Sequence, residues 1–192
     1  ICTWTTNLAL ATDAVARGAR LLRDARVTGA ITGPGHTTLR TTRGDVHGRW
    51  VINAAGLGAD HLDTAFGHHR FTVTPRRGEL LVFDKLARPM VPMIVLAVPS
   101  SRGQGALVRP TIDGNVVVGP TPEHLEDRTA TGTSEEGLEF LLTKGRALMP
   151  TLFDEEITAT YAGLRAAIDR DDYLIDVDAA QRYVLVAGIR ST

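Results

Sequence analysis

The chain has 192 residues, 43% of them hydrophobic and 22% charged, with a formal net charge of −1. That balance suits one globular domain, or one domain with part of another, and excludes a disordered, collagen-like or coiled-coil chain. The 21 basic side chains are scattered rather than massed, so there is no electrostatic case for a nucleic-acid partner. The lone Cys2 cannot form an internal disulfide, which points to a reducing compartment and a cytoplasmic location. No apolar run reaches the roughly 18 residues of a membrane span, and the stretch around Val91–Val98 is cut by Pro92 and Pro99. The opening residues do not carry a signal-peptide pattern.

In chain order, Ile1-Cys2-Thr3-Trp4 runs directly into a helical pattern. Leu8, Ala11, Val15 and Ala19 recur every three or four residues and predict an amphipathic helix over Thr5–Ala19, capped by Thr5, Thr6 or Asn7. Arg20–Thr32, Thr37–Thr42 and Val46–Ala55 read as a strand meander, with turns at Gly33-Pro34-Gly35 and Arg43-Gly44-Asp45. The Arg-Gly-Asp triplet is read as a hairpin turn, not an adhesion motif. A short helix is expected over Gly58–Gly67. Strands follow at Phe71–Thr74, Gly78–Phe83, Val91–Val98, Ala106–Arg109 and Val116–Val118, with Asp113-Gly114 as a hairpin turn. A helix over Thr133–Leu148, with Ser134 as N-cap and Gly137, Leu138, Leu141 and Leu142 inward, precedes strands at Ile157–Ile168, Tyr173–Asp176 and Tyr183–Val186. Runs of strands with few helices make this α+β rather than a strict βαβ alternation. The closing Tyr183–Thr192 is a buried strand with its turn, and both ends are expected to be cuts through a larger protein.

Four segments bear on chemistry. In Tyr161-Ala162-Gly163-Leu164-Arg165, an Arg sits in a strand of small and apolar residues. Burying it is costly unless it meets an anion, either a ligand or a carboxylate of Asp169, Asp171 or Asp172. Val51-Ile52-Asn53-Ala54-Ala55-Gly56 ends a strand in small residues, which suits close approach of a cofactor or a plain strand-to-helix turn. Gly188-Ile189-Arg190-Ser191-Thr192 is an anion-binding turn or a simple one. Neither a phosphate loop nor a G-x-G-x-x-G fingerprint is present, and Gly103-Gln104-Gly105 reads as a turn. His68-His69 lacks metal-ligand spacing, and Ser100-Ser101 has no His nearby for a hydrolase triad.

The order of these segments, with Arg26-Val27-Thr28-Gly29, Pro75-Arg76-Arg77-Gly78-Glu79, Asp113-Gly114-Asn115 and Gly119-Pro120-Thr121, resembles the D-amino-acid-oxidase-like superfamily of FAD enzymes. Within it the chain is most similar to FAD-dependent glycerol-3-phosphate dehydrogenases. The resemblance implies an antiparallel-sheet substrate domain with flanking helices over residues 68–182. Residues 1–67 would be an incomplete part of a FAD-binding α/β domain, and 183–192 a return strand towards it. It implies FAD as cofactor, with Val27, Ala55, Gly56 and Gly188 near it. Arg165 and Arg170 would hold the substrate anion, and Arg190 would act beside the flavin ring. Leu80 stands where some members carry a His. The implied reaction is oxidation of glycerol 3-phosphate to dihydroxyacetone phosphate. Alternatives are a 2-hydroxy-acid dehydrogenase, an amine or amino-acid oxidase, or a catalytically silent binding module. The chain alone is expected to be inactive and not to retain FAD. Family members often pass electrons to quinones, which implies contact of the parent enzyme with the inner membrane face.

Overall fold

The computed structural model describes residues 2–98 and 105–190. Ser100-Ser101, Gly103-Gln104 and Ser191-Thr192, singled out above, lie outside the described residues. The chain forms two compact units: the first runs to Val73 and resumes over Ile168–Ile189, and the second is Thr74–Ala167 with the segment from Arg190.

The first unit opens with helix α1, Thr3–Ala16. Its N-cap is Cys2, not Thr5, Thr6 or Asn7: Cys2 is extended, and its Sγ accepts from the Thr5 N–H at 3.5 Å. Gly18, at φ +96°, turns the chain out of the helix, as a left-handed glycine after a C-terminus does. No residue of α1 is buried, and Trp4, Leu8, Leu10 and Val15 are exposed.

The strand expected from Arg20 begins only at Val27, because the charged stretch before it includes Asp24 in the left-handed region at φ +57°. Strands β1 (Val27–Thr32), β2 (Thr37–Thr41) and β3 (Gly44–Gly48) form the antiparallel meander. The long strand expected over Val46–Ala55 is broken at Arg49-Trp50. Its second half, β4 (Val51–Asn53), joins a different sheet. There β11 (Leu174–Asp178) and β12 (Tyr183–Ala187) form a hairpin, and β12 runs parallel to β4 with Leu185 opposite Asn53. This pairing draws Leu174–Asp178 into the first unit. Helix α2, Ala59–Ala65, follows a single 3₁₀ turn at Gly56–Gly58.

A buried polar knot holds α2 against this sheet. Asn53 Nδ2 donates to the Ala59 carbonyl at 2.8 Å and to the Tyr183 hydroxyl at 2.7 Å. Tyr183 donates to Asp63 Oδ1 at 3.1 Å, and Arg70 pairs with Asp63 and Asp176. Burial pushes the Tyr183 phenol up to about 12.

The second unit is built on β5, Val73–Phe83, one 11-residue strand where two were expected. Pro75 does not break it: its carbonyl accepts from Leu125 N at 2.9 Å, and the next residues, Arg76 and Arg77, pair with the short β9, Glu123–His124. The remaining strands are β6 (Val95–Leu96), β7 (Leu107–Pro110), β8 (Val116–Gly119) and β10 (Ile157–Ile168), in sheet order β10-β5-β8-β7-β6. The β6 strand is shorter than the expected Val91–Val98 because a 3₁₀ helix, Lys85–Met90, and Pro92 occupy its approach. Helix α3, Glu135–Leu148, is capped by Ser134 as expected. Leu81, Phe83, Val108, Val116 and Val118 from the sheet, with Leu141 and Leu152, make the core. No helix among the described residues is long and apolar enough to cross a membrane.

Candidate active site

Successive side chains of a strand point to opposite faces, and β5 uses this to separate two kinds of chemistry. Pro75, Glu79, Leu81 and Phe83 are buried on the core face. Arg76, Gly78 and Leu80 share the other face and are half-buried. On the core side, Arg77 Nη2 binds Glu123 at 2.5 Å and Ser134 Oγ at 2.9 Å, so its charge is neutralised. Glu79 accepts from the Ser134 N–H at 2.6 Å and from Thr121 Oγ1 at 3.2 Å, anchoring the start of α3.

The outer face is different. The Arg165 guanidinium, reaching over from β10, lies across Gly78: a Cβ there would stand 3.1 Å from Arg165 Nη2. Its donors go to backbone carbonyls, Thr121 at 2.9 Å, Arg77 at 3.4 Å and Arg76 at 3.5 Å. Carbonyls orient a guanidinium but carry no charge to neutralise it. Asp169, Asp171 and Asp172 are exposed, and none of them pairs with Arg165. Burial first, then the charge of Arg76, pulls Arg165 below the ordinary arginine range. An arginine stays protonated regardless, so this face is short of negative charge. Tyr161 and Gly163 share the Arg165 side of β10 by alternation, and Tyr161 is exposed.

The other sequence-derived residues lie in several places. Because β12 is parallel to β4, the carboxyl ends of both strands meet at one sheet edge, which places Ala55 and Gly56 beside the segment leading to Gly188. In open α/β sheets ligands bind outside such carboxyl ends. Ala54, Ala55 and Gly56 are exposed, Gly56 has φ +55°, and a Cβ on it would meet open space. This bare backbone ledge fits the close approach of a large planar cofactor such as FAD. Gly188 answers to a local need as well: at φ +76°, a Cβ would stand 2.7 Å from Ile168 Cδ1. Val27 opens β1 at a β-bulge, on the meander of the same unit. Arg170 is exposed in the loop after β10, and Arg190 is half-buried in the second unit. Leu80 packs its Cδ2 towards Gly119 and offers no acid or base.

Sequence reasoning missed the roles of Asn53, Asp63, Arg70 and Tyr183 in the polar knot and of Arg76 on the outer face. The signal for Arg76 was two arginines in succession on a strand, which alternation sends to opposite faces.

The chain is a flavin-dependent oxidoreductase domain by family: residues 2–192 match the FAD dependent oxidoreductase family, and the chain belongs to it. It is 34% identical over 190 residues to the glycerol 3-phosphate dehydrogenase of Caloramator mitchellensis, covering 98% of this chain and 39% of that protein. It is also 33% identical over 126 residues to a glycine oxidase of Pseudomonas aeruginosa, covering 65% of this chain and 32% of that one. Among solved structures, the FAD-bound L-α-glycerophosphate oxidase of Mycoplasma pneumoniae superimposes with a TM-score of 0.83 at 26% identity, over 95% of this chain and 49% of that one. The chain thus spans less than half the length of these relatives.

Proposed function

We propose that this chain carries the substrate-binding face, and part of the cofactor-facing edge, of an enzyme oxidising sn-glycerol 3-phosphate to dihydroxyacetone phosphate. The observation that carries the reading is Arg165: a half-buried guanidinium laid over Gly78, bound to carbonyls and to no carboxylate among the described residues. Such a group is poised for a phosphate or carboxylate ligand. The similarity to glycerol 3-phosphate dehydrogenase over nearly the whole chain favours the phosphate.

Bound FAD would supply the two-electron acceptor for the hydride of the carbinol carbon. Val27, Ala55, Gly56 and Gly188 would face the cofactor along the first unit. In the second, Arg165 holds and orients the substrate anion. Arg190 stabilises the alkoxide that develops as the hydroxyl proton departs. Leu80 cannot accept that proton, so the base lies elsewhere.

A second reading, oxidation of an amine or 2-hydroxy acid gripped by its carboxylate, draws on the glycine oxidase similarity. Steady-state turnover of the FAD-loaded full-length enzyme with glycerol 3-phosphate, glycine and lactate separates the two. A clear preference for glycerol 3-phosphate is expected; preference for either carboxylate would replace the first reading with the second.

A further inference from the structure

We propose that Arg76 is a second substrate-binding side chain, and that Arg76 and Arg165 form a two-guanidinium cradle selective for a phosphate dianion. The proposal deepens the glycerol 3-phosphate reading and rests on it.

Arg76 and Arg77 are adjacent on β5 yet meet opposite fates. Arg77 is neutralised by Glu123 on the core face. Arg76, on the outer face, has no such partner: its Nε is buried and makes no hydrogen bond, and none of the ion pairs among the described residues includes it. A buried, unmatched guanidinium N–H is costly, and such groups in folded proteins call for an explanation. Arg165 lies on the same face, since its head covers Gly78, two residues along the strand. It spends Nε and Nη2 on carbonyls, leaving Nη1 with no hydrogen bond among the described residues.

Arg76 also reduces the proton affinity of Arg165, as two cations in one low-dielectric place do. A singly charged carboxylate would leave such a pair with excess positive charge. A phosphate dianion matches it and offers three acceptor oxygens to the free N–H groups. Gly78 forms the floor, where a Cβ would crowd both Pro120 and the Arg165 head. Arg170, by contrast, is exposed in the loop after β10.

The test is isothermal titration of the FAD-loaded full-length enzyme with inorganic phosphate, above its second pKa, and with acetate. Wild type, Arg76→Gln, Arg76→Lys and Arg170→Gln are compared. Phosphate should bind wild type at least about tenfold more tightly than acetate. Arg76→Gln should weaken phosphate about tenfold or more and acetate less than about threefold, with the melting temperature unchanged. Arg76→Lys should retain part of the affinity, keeping the charge without the fork.

Any of several results overturns the cradle: no phosphate preference in wild type, unchanged phosphate affinity in Arg76→Gln, equal losses for both anions, a lowered melting temperature, or the loss appearing in Arg170→Gln instead. Turnover reads the other claim separately. An enzyme that prefers phosphate through Arg76 but does not oxidise glycerol 3-phosphate keeps the cradle and loses the substrate assignment. One that oxidises it, with Arg76→Gln binding phosphate normally, loses only the cradle.

Discussion

The buried carboxylate of Glu79 accepts from both the backbone N–H and the hydroxyl of Ser134, at 2.6 and 2.9 Å. Strand β5 and the first turn of α3 are thereby tied at one point, immediately behind the face that carries Arg76 and Gly78. Ser134 also caps the helix, its Oγ accepting from Gly137 N at 3.2 Å, and receives Arg77 Nη2. Ser134→Ala should therefore lower stability by about 1–2 kcal/mol, the upper range for an N-cap, read by urea unfolding of the full-length enzyme. A loss below a few tenths would show that the tie carries little.

Gly137 completes the same contact. A Cβ there would stand 1.4 Å from Glu79 Oε2, in a helix whose backbone cannot retreat. Gly137→Ala should cost about 3 kcal/mol or more, combining overpacking with a displaced buried carboxylate. Gly163→Ala is the matching comparison, because a Cβ at Gly163 meets open space and its effect should stay under about 1 kcal/mol. Equal effects of the two substitutions on the unfolding midpoint would contradict the packing described.

The Tyr183 knot gives a pH dependence whose sign is fixed. The phenol is raised from 10.0 to about 12 in the folded protein, because burial disfavours the phenolate. Its contribution is full below pH 10 and is lost as pH rises between 10 and about 12, at up to about 1.4 kcal/mol per pH unit. Tyr183→Phe removes that titration, so its stability curve should be flatter than wild type across this window, at a lower starting stability. Parallel curves would mean that Tyr183 does not ionise in the way its burial dictates.

Arg165→Ala removes the orienting cation and its bond to the Thr121 carbonyl. In the full-length enzyme, kcat/KM for glycerol 3-phosphate should fall by about tenfold to a hundredfold, mostly through KM, as for loss of a charge-assisted contact. Arg165→Lys should recover only part, since an ammonium lacks the fork. Unchanged kinetics in Arg165→Ala would remove this side chain from the site.

Much of the fold was legible where one local rule dominated. Ser134 followed by two glutamates and an apolar periodicity marked α3, and the small and apolar run over Ile157–Ile168 marked β10 at both ends. Where the sequence misled, tertiary pairing had overridden a local signal. Pro75 and Gly78 look like strand breakers, yet β9 and the Arg165 head require that backbone to be extended and bare. Val51–Asn53 reads as a continuation of the meander but is claimed by the distant Tyr183–Leu185. At the site, Arg165 stood out as a charge among small residues. Arg76 did not, because two adjacent arginines look like a solvated pair until their strand assigns them to opposite faces.

The most direct measurement of the central claim is anaerobic mixing of the FAD-loaded full-length enzyme with glycerol 3-phosphate while the flavin absorbance is followed. Bleaching of the flavin by glycerol 3-phosphate, with formation of dihydroxyacetone phosphate and little response to glycine or lactate, is the predicted result. A flavin that stays oxidised with glycerol 3-phosphate, or bleaches with glycine or lactate instead, would contradict it.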